Sequence, residues 1–153
     1  MENLPSKANN IFFYNHLAAN DENKLPNGHA FSIDSHFVSA KILYPKYGDG
    51  GKRIVRASRN TEYWRHNFYE NLDYIFVHTK ESDLLNETHE EKKERKDKFF
   101  KDAQDIINKG QPLVIAPEGT SETEDNFTET SPGPFKPGAF ALASQLKPEP
   151  YLV

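Results

Sequence analysis

Two histidines in this chain are each followed by an aspartate at the same spacing. The pattern H-x-x-x-x-D occurs as His16 to Asp21 and again as His29 to Asp34. Histidine is well suited to removing a proton near neutral pH, and a carboxylate on its second ring nitrogen fixes the tautomer and stabilises the imidazolium. With six histidines in the chain, the spacing alone is a weak signal, and a turn histidine followed by a helix-capping aspartate is the structural alternative.

The residues that follow each aspartate favour the second pair. Asp34 leads directly into SHFVSAKIL, whose apolar spacing fits a helix, whereas Asp21 leads into the loop-like ENKLPNG. His16, however, directly follows the apolar run IFFY and Asn15, and a catalytic base commonly projects from the end of a strand. We therefore predict His29 as the base and Asp34 as its partner, and keep His16 with Asp21 as the alternative.

A second group of polar residues ends the apolar segment PLVIA. Residues 117–120 read PEGT, and functional loops in α/β proteins gather where strands end. Glu118 and Thr120 can form hydrogen bonds with hydroxyl groups, while Gly119 lets the backbone approach a ligand. Lys136, in FKPGAF, supplies a point charge suited to phosphate or carboxylate. A purely structural role for the strand-end glutamate is the alternative.

The order of apolar segments predicts the elements that position these residues. Five segments are typical of strands: IFFYN, RIVRAS, LDYIFVHT, PLVIA and PYLV. Four are typical of helices: residues 35–44 up to Pro45, TEYWRHNFYEN, the charged run from Glu87 to Asn108, and Gly138 to Leu146. This alternation predicts an α/β fold with a mostly parallel central sheet flanked by helices.

Composition limits the class of protein. At 153 residues, residues 1–153 fit one domain. The net charge of -4 gives no basic field for nucleic acid. The chain has no cysteine, which rules out a thiolate nucleophile and suits a reducing cytoplasm. No window approaches the roughly 18 apolar residues of a membrane-spanning helix. We expect a cytoplasmic protein without a bound metal.

The motifs HAFSID, PEGTS and FKPGAFALA, in this order, resemble the phospholipid/glycerol acyltransferase family, which includes lysophosphatidic acid acyltransferases. The resemblance covers residues 11–153 and implies a fold like that of glycerol-3-phosphate acyltransferase. It implies that His29 and Asp34 form the catalytic pair. It also implies an acceptor site that includes Glu118, Gly119, Thr120 and Lys136. No cofactor is implied, because acyl-CoA or acyl carrier protein is a co-substrate.

The chain departs from that family where arginines are usual. Thr79 and Lys80 stand at the end of YIFVHTK, and EGTSE has no arginine after its threonine. Arginine can form two parallel hydrogen bonds with a phosphate, whereas lysine acts as a point charge. Five other cations could place a positive charge near the site, although we expect most of them on solvated surfaces: Lys52, Arg53, Arg56, Arg59 and Arg65.

The expected activity is transfer of a fatty acyl group to a hydroxyl of a glycerol phosphate or lysophospholipid-type acceptor. The missing arginines leave open a lipid acceptor without phosphate, and a non-catalytic lipid-binding module of the same fold is the alternative outside enzymes. Such substrates imply peripheral contact with a membrane surface. The family continues beyond PYLV, which leaves open that the domain is truncated at its C-terminus.

Overall fold

A computed structural model describes residues 3–15, 26, 33–58, 63–78, 87–119, 134–146 and 150–152. The strands are β1 (Ile11–Phe13), β2 (Lys52–Arg56), β3 (Ile75–Val77), β4 (Leu113–Ile115) and β5 (Pro150–Leu152). The helices are α1 (Ile33–Phe37), a π-helical segment (Val38–Leu43), α2 (Tyr44–Tyr47), α3 (Tyr63–Glu70), α4 (His89–Asn108) and α5 (Pro137–Leu146).

The five strands form one sheet in the order β3-β2-β4-β1-β5. Every pairing is parallel, with Phe12 opposite Val114 between β1 and β4 and Ile54 opposite Ile75 between β2 and β3. The predicted α/β fold is therefore confirmed. Because the strands are parallel, their carboxyl ends all lie at one edge, and the segments that follow the neighbouring strands β1 and β4 begin side by side.

Both faces of the sheet are covered, which explains the continuous apolar runs of its strands. Side chains alternate along a strand, so Phe12 points to one face and its neighbours to the other. On the first face Phe12 packs with Tyr14, Val38, Leu43 and Val114 beneath the π-helical segment. On the second face α4 and α5 cover the sheet through Ala103, Ile106, Ile107, Ala139, Leu142, Ala143 and Leu146, packed with Ile11 and Phe13.

The helical stretch before β2 is longer than the sequence predicted. Pro45 was expected to end a helix of residues 35–44, but helical structure runs from residue 33 to 47, and that expectation is wrong. Proline is tolerated in the first turn of a helix, where its missing N–H has no intrahelical partner, and Pro45 lies in the first turn of α2. The stretch ends instead at Gly48, whose φ is 69°.

Helix α4 follows its predicted pattern closely. Its N-terminus is closed by a capping box in which Thr88 and Glu91 exchange hydrogen bonds. The charged run lies in solvent, with ion pairs one turn apart such as Lys98 to Asp102 at 2.5 Å. Only the second half buries apolar residues against the sheet. Gly110, at φ 79°, follows the helix and lets the chain turn into β4.

Candidate functional site

The segment after β4 forms a tight turn with a buried glutamate. Glu118 is only 4% exposed, and Pro117 beside it is fully buried. The backbone N–H of Gly119 donates to the carbonyl of Ala116 at 3.1 Å. Gly119 has φ 79°, a conformation that glycine adopts without steric cost. The turn therefore holds a carboxylate at the carboxyl edge of the sheet.

Lys136 lies directly against this turn. Its backbone N–H donates to the carbonyl of Pro117 at 2.8 Å. Its side chain crosses Gly119: a Cβ at Gly119 would stand 3.1 Å from the Cδ of Lys136 and 3.2 Å from its Nζ. The structure thus brings together three residues of the predicted acceptor site, Glu118, Gly119 and Lys136. The fourth, Thr120, lies outside the described residues.

Asp34 occupies the first turn of α1, as expected from the helical pattern after it. Its Oδ1 accepts a hydrogen bond from the backbone N–H of Ser35 at 2.6 Å. Tyr14 directly follows β1, and the negative charge of Asp34 acts on its hydroxyl. The pKa of Tyr14 is raised, first by burial and then by the negative charge of Asp34, while the positive charge of Arg53 and a hydrogen bond with Ser35 oppose the rise.

The hydrogen bond between Tyr14 and Ser35 places Asp34, the residue before Ser35, near the segment that follows β1 and next to the strand that carries the Glu118 turn. The remaining members of the two His/Asp pairs lie outside the residues that the structure describes: His16, Asp21 and His29. The choice between the two pairs therefore stays a prediction.

A buried arginine lies beneath the helix that carries Asp34. Arg53 is 5% exposed, and its Nη1 donates to the hydroxyl of Ser35 at 2.6 Å. Its Nη2 donates to the Ser39 hydroxyl at 2.7 Å and to the backbone carbonyl of Ser35. The guanidinium also lies over the ring of Tyr74, 5.5 Å from its centroid.

Arg53 is an exception to the expectation that most of these cations lie on solvated surfaces. Side chains alternate along β2: Ile54 packs toward the face covered by α4 and α5, and Arg53 points to the opposite face, which α1 and the π-helical segment cover. One pattern in the sequence is consistent with this position of Arg53. It is the one-turn spacing of Ser35 and Ser39, which places two hydroxyls on one side of a helix.

Other cations of that group have contacts typical of a protein surface. Lys52 donates to the carboxylate of Asp73 at 3.3 Å, and Arg65 donates to the carbonyl of Arg56 at 3.3 Å. Arg59 lies outside the described part of the chain. Of the four cations in this group that the structure describes, Arg53 is the one that is buried.

His78 follows β3 at the same edge of the sheet and was not among the predicted site residues. Its Nδ1 is buried and has no hydrogen-bond partner among the described residues. Burial lowers the pKa of His78, and the positive charge of Arg95 lowers it further, against the opposing effect of Glu87. Glu87 and Arg95 themselves form a bidentate ion pair, with both hydrogen bonds at 2.6 Å.

Comparison with known families decides the class of this protein. A family model described as Acyltransferase, that of the phospholipid/glycerol acyltransferases, matches residues 27–153. The chain belongs to this acyltransferase family. The match includes His29, Asp34, the Glu118 turn and Lys136, so it covers every site residue that the sequence predicted. No curated protein matches the chain.

Membership confirms the resemblance drawn from the three motifs and agrees with the parallel α/β sheet. A general acyltransferase function follows from it. In the part of this acyltransferase that the structure describes, no helix is both long and apolar enough to cross a bilayer.

Proposed function

We propose that this acyltransferase transfers a fatty acyl group from acyl-CoA or acyl carrier protein to a hydroxyl of a glycerol phosphate or lysophospholipid-type acceptor. The observation that carries the proposal is the position of Lys136 across Gly119, beside the buried Glu118. This arrangement puts a cation and a carboxylate at one turn. A carboxylate accepts hydrogen bonds from hydroxyls, and an ammonium attracts phosphate, so the turn suits a polyol phosphate.

The proposed mechanism uses His29 as a general base. Its imidazole removes the proton of the acceptor hydroxyl as the oxygen attacks the thioester carbonyl. The tetrahedral intermediate then collapses, the carbon–sulfur bond breaks, and the thiolate takes the proton back from the imidazolium to leave as a free thiol. An ester is formed without an acyl-enzyme. Asp34 would fix the tautomer of His29 and stabilise its charged form.

The position of Asp34 supports this assignment of roles. Asp34 lies in the first turn of α1, which runs directly into the π-helical segment. That segment packs on the sheet through Val38 and Leu43, together with Tyr14 directly after β1. An orienting carboxylate must be held in this way, because a catalytic base works only within hydrogen-bond reach of its substrate. The pair His16 and Asp21 is the alternative.

Release of free thiol provides a direct test. The assay measures CoA released from a long-chain acyl-CoA with a panel of lyso-lipid acceptors, for the wild type, His29→Ala, His16→Ala and Asp34→Asn. We expect loss of at least about 100-fold in kcat for His29→Ala and Asp34→Asn, the usual scale of general-base catalysis. His89→Ala, which replaces an exposed histidine of α4, is the matched control and should keep wild-type activity.

Each alternative has its own outcome in this assay. Full activity in His29→Ala with loss of activity in His16→Ala would show that His16, not His29, is the catalytic base. If only acceptors without phosphate are turned over, the acceptor is a lipid without phosphate and the proposed acceptor class is wrong. Lipid binding without turnover of any acceptor would support the non-catalytic module and contradict the proposal.

A further inference from the structure

We infer that Arg53 is a positioning residue that holds Asp34 in its catalytic orientation. This inference rests on the proposed role of Asp34. Arg53 does not need to touch substrate for this role, because it acts on the helical turn from which Asp34 projects.

The first argument is the pattern of hydrogen bonds. Arg53 donates to the hydroxyls of Ser35 and Ser39 at 2.6 and 2.7 Å and to the carbonyl of Ser35. Ser35 directly follows Asp34, and Ser39 lies one turn later, inside the π-helical segment. The planar guanidinium of Arg53 therefore binds residues on both sides of the junction between α1 and the π-helical segment. Fixing two points one turn apart fixes the rotation of the helix, and with it the direction in which Asp34 projects.

The second argument is the free-energy cost of burying the guanidinium of Arg53. Burying a guanidinium is expensive unless good geometry compensates for its lost hydration. At 5% exposure, Arg53 is held by two hydroxyls, one carbonyl and the face of the Tyr74 ring. A leucine or methionine would fill such a space at lower cost. The presence of a charged residue at this position therefore indicates a role beyond filling space, such as orienting neighbouring groups.

The third argument is electrostatic. The charges of Asp34 and Arg53 both act on the hydroxyl of Tyr14, in opposite directions. Tyr14 is itself buried and thus lies within reach of both groups. Arg53 and Asp34 therefore act on the same buried residue, which agrees with a positioning role for Arg53.

The test is a double-mutant cycle between the two residues. Arg53→Met, Asp34→Asn and the double variant are compared for kcat, for KM of the acyl donor and for thermal unfolding. We expect Arg53→Met to lower kcat about 10-fold or more, because small displacements of a catalytic group cost this much, while KM changes less than about twofold. In the Asp34→Asn background the same change should lower kcat less than about twofold.

Milder variants keep the test decisive if Arg53→Met does not fold. Ser39→Ala removes one of the hydrogen bonds and should lower kcat by a smaller factor, again only when Asp34 is present. Arg53→Lys should restore part of the activity lost in Arg53→Met. Arg56→Met, on the same strand, is the matched control and should leave kcat near the wild-type value.

The outcomes separate this inference from the proposed function. Equal losses from Arg53→Met, or from Ser39→Ala, with and without Asp34 would show a purely structural role and overturn the inference. A change confined to KM would mark Arg53 as a substrate contact and would also overturn it. Unchanged activity in Asp34→Asn would instead contradict the proposed catalytic pair, and the inference would fall with it.

Discussion

The side chain of Lys136 crosses Gly119 so closely that its Nζ lies 3.2 Å from the position of a Cβ on that glycine. The contact joins the turn after β4 to the N-terminal end of α5, and the hydrogen bond from Lys136 N to the carbonyl of Pro117 fixes the same junction. The location of the ammonium group therefore depends on the absence of a side chain at residue 119.

Gly119→Ala should displace Lys136 and weaken acceptor binding. Gly110→Ala is a matched control, because Gly110 has the same φ of 79° but no neighbouring atom within 4 Å of the point that a Cβ would occupy. Both variants carry a backbone strain of about 1 kcal/mol. We expect only Gly119→Ala to raise the KM for acceptor, about 10-fold if one charge-assisted contact is lost. Steady-state kinetics and thermal unfolding of both variants check this, and equal KM values would contradict it.

Replacing Lys136 should reveal whether the acceptor carries a phosphate. Lys136→Met removes the charge while keeping much of the side-chain volume. For a phosphate-bearing acceptor we expect kcat/KM to fall about 10- to 100-fold, the range expected for a lost charged hydrogen bond. For an acceptor without phosphate, kcat/KM should stay within about twofold, since no charged contact is lost. Lys136→Arg, which keeps the charge, should retain most activity with the phosphate-bearing acceptor.

The elements of the fold could largely be predicted from the sequence because their patterns are local. Continuous apolar runs identified the strands, and a charged run followed by apolar residues identified α4. Pro45 misled the prediction, since a proline that ends one helical stretch and a proline in the first turn of the next look alike in sequence. The family resemblance also implied that Lys136 lies near the Glu118 turn.

The support of Asp34 could not be predicted in the same way. Arg53 is separated from Ser35 by 18 residues, and which face of β2 is covered depends on where α1 and the π-helical segment pack. Three of the five residues of β2 are charged, namely Lys52, Arg53 and Arg56, and nothing in this run of residues singles out Arg53 for burial. The burial of Arg53 is therefore a property of the tertiary structure, although the spacing of the two serines is consistent with it.

The capping box of α4 should contribute measurably to stability. The Thr88 hydroxyl accepts from the Glu91 backbone N–H at 3.3 Å, and Glu91 accepts from the Thr88 backbone N–H at 2.8 Å. Thr88→Ala should lower the free energy of unfolding by about 1 kcal/mol. Thr88→Ser keeps the hydroxyl and should lower it much less. Urea unfolding of the three proteins checks this, and equal losses in the two variants would contradict a role for the hydroxyl.

His78 should make the protein less stable in mild acid. Burial, and then the positive charge of Arg95, lower the pKa of His78 below its ordinary value of 6.5. The unfolded chain therefore takes up this proton at a higher pH than the folded protein does. The stability associated with neutral His78 is fully present above that ordinary pKa and is lost as the pH falls through the lowered, folded-state pKa.

His78→Gln removes the titrating group while keeping a polar side chain at the end of β3. Its free energy of unfolding should fall less than that of the wild type between about pH 7.5 and pH 5.5, because the unfolded state no longer gains a proton at this position. His89→Gln replaces an exposed histidine and should keep a pH dependence close to that of the wild type. If His78→Gln and the wild type lose equal stability over this range, burial of the imidazole has no effect on its protonation.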